Sequence, residues 1–387
     1  MNKYSYYQKL LEKKREQKEY NQLRCFTPPE EPHGPSMINF ASNDFLGLSE
    51  HPYVKKNTIK YVLEWGAGTT PSRLVTQHLE CHRSVEEKLA ELVGKETSLL
   101  FPSTYQMHQQ ILSTLAPKDS LIFIDRFSNP ALIQAAIGTR AKVFRFEHQN
   151  YTQLSDLLEK TESTSTAKLI LTESLFSLNG EMSDLKKLSE LAEKFGALLY
   201  IEDSNAVSML GKHGMGLASH RRGVDIATGS FGKGSGSFGA FVTCNALMRE
   251  YLITFNPQLL ETTMLPPAVL GAINGALDLI PDMQVERQKV QNLSAYLRDA
   301  LKEDHWDIGN PSAHLIPLIS LEESHCQKLS RALSEKNILA TFLRPPTVPQ
   351  GASRLRFTIH AHLSQEDLSL LLKTLKMLKE EPSLSIV

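Results

Sequence analysis

The chain has 387 residues, 41% of them hydrophobic, enough to bury a large core in more than one domain. Its 42 basic and 43 acidic residues leave a formal charge of -1, which excludes the basic footprint of a nucleic-acid binder and the polybasic patch of a membrane-surface protein. No apolar stretch is long enough to span a bilayer, no leader pattern opens the chain, and Cys25, Cys81, Cys244 and Cys326 form no C-x-x-C pair. Neither a disulfide framework nor a metal centre is expected, and the expected setting is a reducing cytoplasm.

Near the N-terminus, Lys9, Lys13, Lys14, Arg15 and Lys18 interleave with Glu12, Glu16 and Glu19, the pattern of a charge-laced amphipathic helix. From residue 98 onward, short apolar runs alternate with helix-period segments. The runs are Ser98 to Phe101, Ser120 to Asp125, Lys142 to Phe146, Lys168 to Thr172, Ala197 to Asp203, Asp225 to Thr228 and Ala240 to Thr243. Between two of them, Asp184 to Phe195 places Leu185, Leu188, Leu191 and Ala192 on one helical face. Such alternation predicts an α/β domain with a mostly parallel, seven-stranded sheet covered by helices. Ligands of these sheets bind beyond the carboxyl ends of the strands, where Asp125, Glu202 and Ser230 fall.

Two helices are predicted from Leu265 to Ile280 and from Val285 to Leu301, separated by Pro281. The tail changes rhythm: strand His314 to Ser320, helix Glu322 to Lys336, strands Ile338 to Leu343 and Arg354 to His360, helix Gln365 to Leu378. Pro345-Pro346 and Pro349-Gln-Gly351 mark a rigid loop between the last two strands. The expected organisation is an N-terminal arm and opening segment over 1–48, a large domain over 49–281 and a small α+β domain over 282–387.

The segment Asp225-Ile-Ala-Thr-Gly-Ser230-Phe-Gly232-Lys233-Gly234-Ser-Gly236-Ser-Phe-Gly239 carries the strongest chemical signal. An imine-forming lysine needs a partly neutral amine and room for a carbonyl cofactor, and the glycines at 232, 234 and 236 supply that room. The G-x-G-x-x-G match at Gly234 to Gly239 precedes a strand-like run and not a helix, and no Ser or Thr directly follows Lys233 as a P-loop requires. A solvated loop lysine is the competing reading of this segment taken alone.

Other motifs stand in register with it: Asn39-Phe-Ala-Ser-Asn43-Asp-Phe-Leu-Gly-Leu48, Gly66-x-Gly68 with Ser72-Arg73 and His82-x-x-Val-Glu86, Thr172-Glu173-Ser-Leu-Phe-Ser177-Leu-Asn-Gly180, and Pro345 to Arg356 ending Ser-Arg354-Leu-Arg356. Together, from about residue 38 to 380, the chain resembles the α-oxoamine synthases. These are pyridoxal-phosphate enzymes of the aspartate-aminotransferase fold (fold type I) that condense an amino acid with an acyl thioester and release carbon dioxide.

The resemblance implies that Lys233 binds the cofactor aldehyde, that Ser230 and the backbone of Thr104 and Tyr105 hold its phosphate, and that Ser177 lies near it. It implies Arg356 as the clamp for a substrate carboxylate, with Asn43 beside it. Glu202 stands where the family has an aspartate facing the ring nitrogen. Asn205 and Asn129 stand where it has histidines, the latter stacked on the ring, and Thr104 replaces a usual glycine. Asp203, next to Glu202, is expected on the opposite strand face.

The implied partners are an amino acid and an acyl-CoA or acyl-carrier-protein donor, in a homodimer. L-alanine with a pimeloyl thioester, for biotin synthesis, is the first expectation, and serine with a long acyl-CoA or glycine with a short one are alternatives. The departures at Glu202, Asn129 and Asn205 keep another reading open, a non-catalytic interaction subunit, which Lys233 and Arg356 oppose.

Overall fold

The structure is a computed structural model that describes residues 3–16, 37–69, 72, 79–161, 166–256, 258–319, 322–345 and 347–380. Lys18, Glu19, Cys25, Arg73, Ser320 and Pro346 lie outside these residues. The chain divides into Met1–Met37 and Ile38–Val387. In the first unit, helix α1 (Ser5–Glu16) carries Lys13, Lys14 and Arg15 in its last turn, where cations suit the helix dipole. It buries none of its residues.

The described part of the second unit contains strands β1 (Ile38–Asn39), β2 (Thr97–Phe101), β3 (Leu121–Asp125), β4 (Lys142–Phe146), β5 (Lys168–Glu173), β6 (Leu198–Glu202), β7 (Ile226–Ser230), β8 (Ala240–Cys244), β9 (Leu315–Ile319), β10 (Ile338–Leu339), β11 (Thr341–Leu343) and β12 (Arg354–Thr358). Its helices are α2 (Pro52–Trp65), α3 (Glu80–Val93), α4 (Thr104–Leu115), α5 (Pro130–Ile137), α6 (Tyr151–Glu159), α7 (Leu185–Phe195), α8 (Ala246–Phe255), α9 (Gln258–Glu261), α10 (Pro267–Leu279), α11 (Gln284–Glu303), α12 (Glu323–Glu335) and α13 (Gln365–Glu380). No helix among the described residues is long and apolar enough to cross a membrane.

Seven strands form one sheet in the order β2-β8-β7-β6-β5-β3-β4. Strand β8 runs antiparallel to both neighbours, and the other pairings are parallel. Both faces are covered. Ile122, Ile124, Leu169 and Leu171 pack with Met107, Ile111 and Leu132, while the alternate residues Phe123 and Ile170 pack with Leu185, Leu188 and Phe195. This two-sided burial explains why the strands read as continuous apolar runs. The parallel strands β3, β5, β6 and β7 end together, so Asp125, Glu173, Glu202 and Ser230 share one edge.

A second sheet, β11-β12-β9, is antiparallel, and β1 pairs with β10 in parallel. The strand expected over Ile338 to Leu343 is therefore two. Residues 338–339 take β1 as partner and 341–343 take β12, and the change of partner breaks the run at Ala340. The opening segment is tied further to the tail, because Phe40 and Phe45 carbonyls accept N–H groups from Thr358 and Ala361 at 2.8 and 2.9 Å.

Candidate active site

Strand β7 ends at Ser230, and a tight loop carries the chain back into β8. Phe231 donates to the Gly239 carbonyl at 3.0 Å, Ser237 to the Phe231 carbonyl at 2.9 Å and Gly236 to the Lys233 carbonyl at 2.9 Å. The glycines of this loop differ in what they do. A Cβ at Gly236, whose φ is +58°, would lie 2.1 Å from the Ser49 nitrogen, and one at Gly234 would lie 2.8 Å from Ser208 and 2.9 Å from Phe45. Those two glycines let the loop lie against its neighbours, whereas a Cβ at Gly232 would make only ordinary contacts, with Ser230 Oγ at 3.4 Å and the Ser237 carbonyl oxygen at 3.9 Å. The expectation that all three keep room for a cofactor is corrected accordingly.

Lys233 Nζ donates to Asn205 Oδ1 at 2.7 Å. The Asn205 amide nitrogen donates to Glu173 Oε2 at 3.2 Å and to the Leu175 carbonyl at 3.0 Å. Glu202 accepts the Ser204 N–H on Oε1 at 3.2 Å, while its Oε2 is shielded from solvent and has no hydrogen-bond partner among the described residues. Burial lowers the Lys233 pKa, opposed by the charges of Glu202 and Glu173 and assisted by Arg356. Burial, then the charge of Glu202, pushes the Glu173 carboxyl well above the ordinary carboxylate range, although Lys233 and the backbone N–H groups of Asn129 and Ser177 favour its ionised form. The cluster is thus a desolvated amine between two buried carboxyl groups, bridged to one of them by an amide.

Asp203 points elsewhere, as strand alternation requires. It accepts from the Ser174 hydroxyl and from the N–H groups of Leu217 at 3.2 Å and Ala218 at 2.9 Å, and burial raises it to about 7. Tyr200, two residues before Glu202, meets His108 Nδ1 through its hydroxyl at 2.7 Å. Burial, then the charge of Lys233, lowers His108 to about 3, so the ring stays neutral.

From the other sheet, Arg356 donates to the Ser177 carbonyl at 3.1 Å, and its Nε is shielded from solvent without a partner among the described residues. Arg354 donates to Asn179 Oδ1. Asn179 in turn donates to Glu181 Oε2 at 3.0 Å, which also meets His148 Nε2 at 2.8 Å. The opposite ring nitrogen of His148 meets Asp125 Oδ1 at 3.0 Å. This chain of polar groups ties the end of β3 to β12 behind the site. Asp125, at the strand ends as expected, is committed to it.

Asn129 caps α5, accepting the Ala131 N–H on its side-chain oxygen at 2.8 Å, a task that asparagine performs and histidine does not favour. Ser103 caps α4 by accepting from Gln106 at 3.2 Å, which leaves the amides of Thr104 and Tyr105 at the open end of that helix. The Ser230 hydroxyl accepts from Gly232 at 3.1 Å. Asn43 is exposed in the turn between Phe40 and Phe45. The structure thus brings Lys233, Asn205, Glu202, Ser177 and Arg356 together at the strand ends, with Asn129 joining them through its backbone. No side-chain contact ties Asn43, Thr104 or Tyr105 to the cluster.

Pyridoxal phosphate presents an aldehyde, a ring nitrogen that binds a proton and a phosphate. The desolvated Lys233 amine, the unpartnered Glu202 Oε2 and the open N-terminus of the twelve-residue helix α4 fit these three groups. Two further residues of the region carry no motif in the sequence: Glu173, which closes the apolar run of β5, and His314, which stands just before the apolar strand β9.

The sequence profile of the aminotransferase class I and II family matches residues 35–375. A protein of Paramagnetospirillum magneticum, provisionally named as an 8-amino-7-oxononanoate synthase, is 38% identical over 344 residues, covering 88% of each chain. The 8-amino-7-oxononanoate synthase of Gluconacetobacter diazotrophicus is 35% identical over 335 residues, covering 85% of this chain and 84% of its own. A solved structure of the serine palmitoyltransferase of Sphingomonas wittichii superposes with a TM-score of 0.89 over 97% of this chain and 98% of its own; at 22% identity it shows a shared fold alone, fold type I. The chain belongs to the class I and II aminotransferase family and, within it, to the pyridoxal-phosphate-dependent α-oxoamine synthases, acyltransferases that make carbon–carbon bonds.

Proposed function

We propose that the protein joins L-alanine to a pimeloyl thioester with release of carbon dioxide, the 8-amino-7-oxononanoate synthase reaction of biotin biosynthesis. The observation that carries the chemistry is the desolvated Lys233 amine held by Asn205 between Glu173 and Glu202. The choice of substrates is supported by relatives at 35 and 38% identity that bear that name.

Bound pyridoxal phosphate supplies an electron sink that acidifies the α-carbon of an amino acid. Lys233 binds the cofactor and, with its lowered pKa, takes and returns the proton at the α-carbon. Asn205 aims Lys233. Glu202 would hold the proton on the ring nitrogen through its unpartnered Oε2. Ser230 and the amides of Thr104 and Tyr105 hold the phosphate. Asn129 and Ser177 would lie near the bound cofactor, and Arg356, with Asn43 beside it, would bind the substrate carboxylate.

The acyl group arrives on coenzyme A or an acyl carrier protein. The protein works as a homodimer in the cytoplasm, its chain organised as an arm over 1–48, a cofactor domain over 49–281 and a small domain over 282–387. Sedimentation at twice the chain mass checks the dimer.

The deciding experiment incubates the protein, loaded with cofactor, with L-alanine and pimeloyl-CoA and follows 8-amino-7-oxononanoate by mass spectrometry. Serine with palmitoyl-CoA, glycine with acetyl-CoA and glycine with succinyl-CoA run in parallel. Product from one of these pairs alone moves the assignment within the family. No product from any pair supports the interaction-subunit reading, which Glu202, Asn129 and Asn205 favour.

A further inference from the structure

His314 directly precedes β9 and is 2% exposed. Among the described residues, neither of its ring nitrogens has a hydrogen-bond partner. A neutral imidazole always presents one N–H donor and one lone pair, and protein interiors rarely leave both unmet. The residue is well held: its carbonyl accepts the Ile359 N–H at 2.9 Å, and its ring meets the edge of Phe45 with centroids 4.3 Å apart. Phe45 also borders the lysine loop at Gly234.

Burial, then the charges of Arg356 and Lys233, both cations, lowers His314 and keeps the ring neutral. Arg356 Nε is unpartnered too. Two buried, unmet donors acted on by a second cation, Lys233, suit a small anion. In the reaction proposed above, on which this inference rests, the anion brought to Arg356 is the carboxylate of the amino acid.

We propose that His314 is a second donor to the substrate carboxylate, giving its ring N–H to one oxygen while Arg356 takes the other. A neutral donor adds a directed hydrogen bond without adding charge to a site that already holds Arg356 and Lys233. It therefore selects ligands that carry a carboxylate over the corresponding bare amines.

The test uses the cofactor-loaded protein and isothermal titration with L-alanine, L-serine and glycine, and with ethylamine as the analogue of alanine that lacks the carboxylate. His314→Phe keeps the ring shape and loses both nitrogens; His314→Gln restores a donor. His314→Phe is expected to weaken amino-acid binding about tenfold, the scale of one hydrogen bond to a charged group, and to leave ethylamine binding unchanged. His314→Gln is expected to recover most of the loss. If His314→Phe does not fold, His314→Met carries the same comparison. Equal loss for alanine and ethylamine, or no loss for either, overturns the role of His314 and leaves the proposed reaction standing. A parent protein that binds none of the three amino acids overturns the proposed reaction and this inference with it.

Discussion

Asn205 accepts the hydrogen bond of Lys233 Nζ at 2.7 Å on the one amide atom that can accept it. Its nitrogen is already committed to Glu173 and to the Leu175 carbonyl, so the amide has a single workable orientation. Replacing Asn205 by Leu leaves Glu173 Oε2, the Leu175 carbonyl and Lys233 without these contacts. An unfolding titration in urea is expected to show a loss of about 1–3 kcal/mol, the cost of stranding buried polar groups. Asn205→Gln, which keeps the amide but displaces it, is expected to fall between Leu and the parent.

Lys233 is expected to carry the cofactor. Protein mixed with pyridoxal phosphate should gain a visible absorption band, and reduction with borohydride should leave the label on the peptide containing Lys233. Lys233→Ala is expected to show neither. A label on another peptide would refute the assignment.

Glu202 is expected to set the strength of the electron sink. In deuterated water, α-proton exchange of the bound amino acid is expected to fall by two orders of magnitude or more in Glu202→Gln, about the scale of one essential proton-handling group, with cofactor binding largely kept. Glu202→Asp, which restores the family's residue, is expected to match or exceed the parent. Exchange at the parent rate in Glu202→Gln would show that Glu202 does not face the ring nitrogen.

His148 links stability to pH. Burial opposes its charge, but hydrogen bonds to Asp125 and Glu181 outweigh that and raise it to about 9, while the hydrogen bond of His148 chiefly holds Glu181 below its ordinary value. A histidine raised on folding stabilises fully below its unfolded value of 6.5, and the contribution fades as pH rises through about 9. A depressed carboxylate stabilises above its ordinary value of 4.5 and loses that as pH falls. Thermal melts of the parent and His148→Gln are therefore expected to differ most between pH 4.5 and 6.5 and to converge above pH 9. A gap that persists unchanged at pH 10 would rule out the charge of His148 as its source.

Gly236→Ala is expected to destabilise the protein by about 1–3 kcal/mol, because the new Cβ must adopt a left-handed backbone and displace Ser49. Gly232→Ala, where the new Cβ would meet only ordinary contacts, is expected to stay within about 0.5 kcal/mol. Chemical unfolding curves of the two variants check the contrast.

The seven-stranded sheet was legible because its strands are buried on both faces. Lys142 to Phe146 was bounded correctly at both ends, and its neighbours to within a residue or two, from short-range pattern alone. The break at Ala340 was not, since it arises from partners distant in sequence, β1 and β12. Lys233, Arg356 and the strand-end position of Glu202 were legible from motif and register. Glu173 and His314 were not, because a strand-end carboxylate or a histidine in an apolar run gains its meaning only from what folds against it. The glycines around Lys233 look alike in sequence and separate in space into two that permit close packing and one where a side chain would meet only ordinary contacts.

The pairing of Ile38–Asn39 with Ile338–Leu339 also bears on how the protein is made. A ribosome releases the opening segment about three hundred residues before its partner strand exists, and closing so long a loop adds only modestly to the entropic cost of folding. Phe45, which borders Gly234 and His314, lies in the segment anchored by Thr358 and Ala361. The wall beside Lys233 is therefore among the last features a nascent chain can build, and a chain cut short before Thr358 lacks it however completely the large sheet has formed.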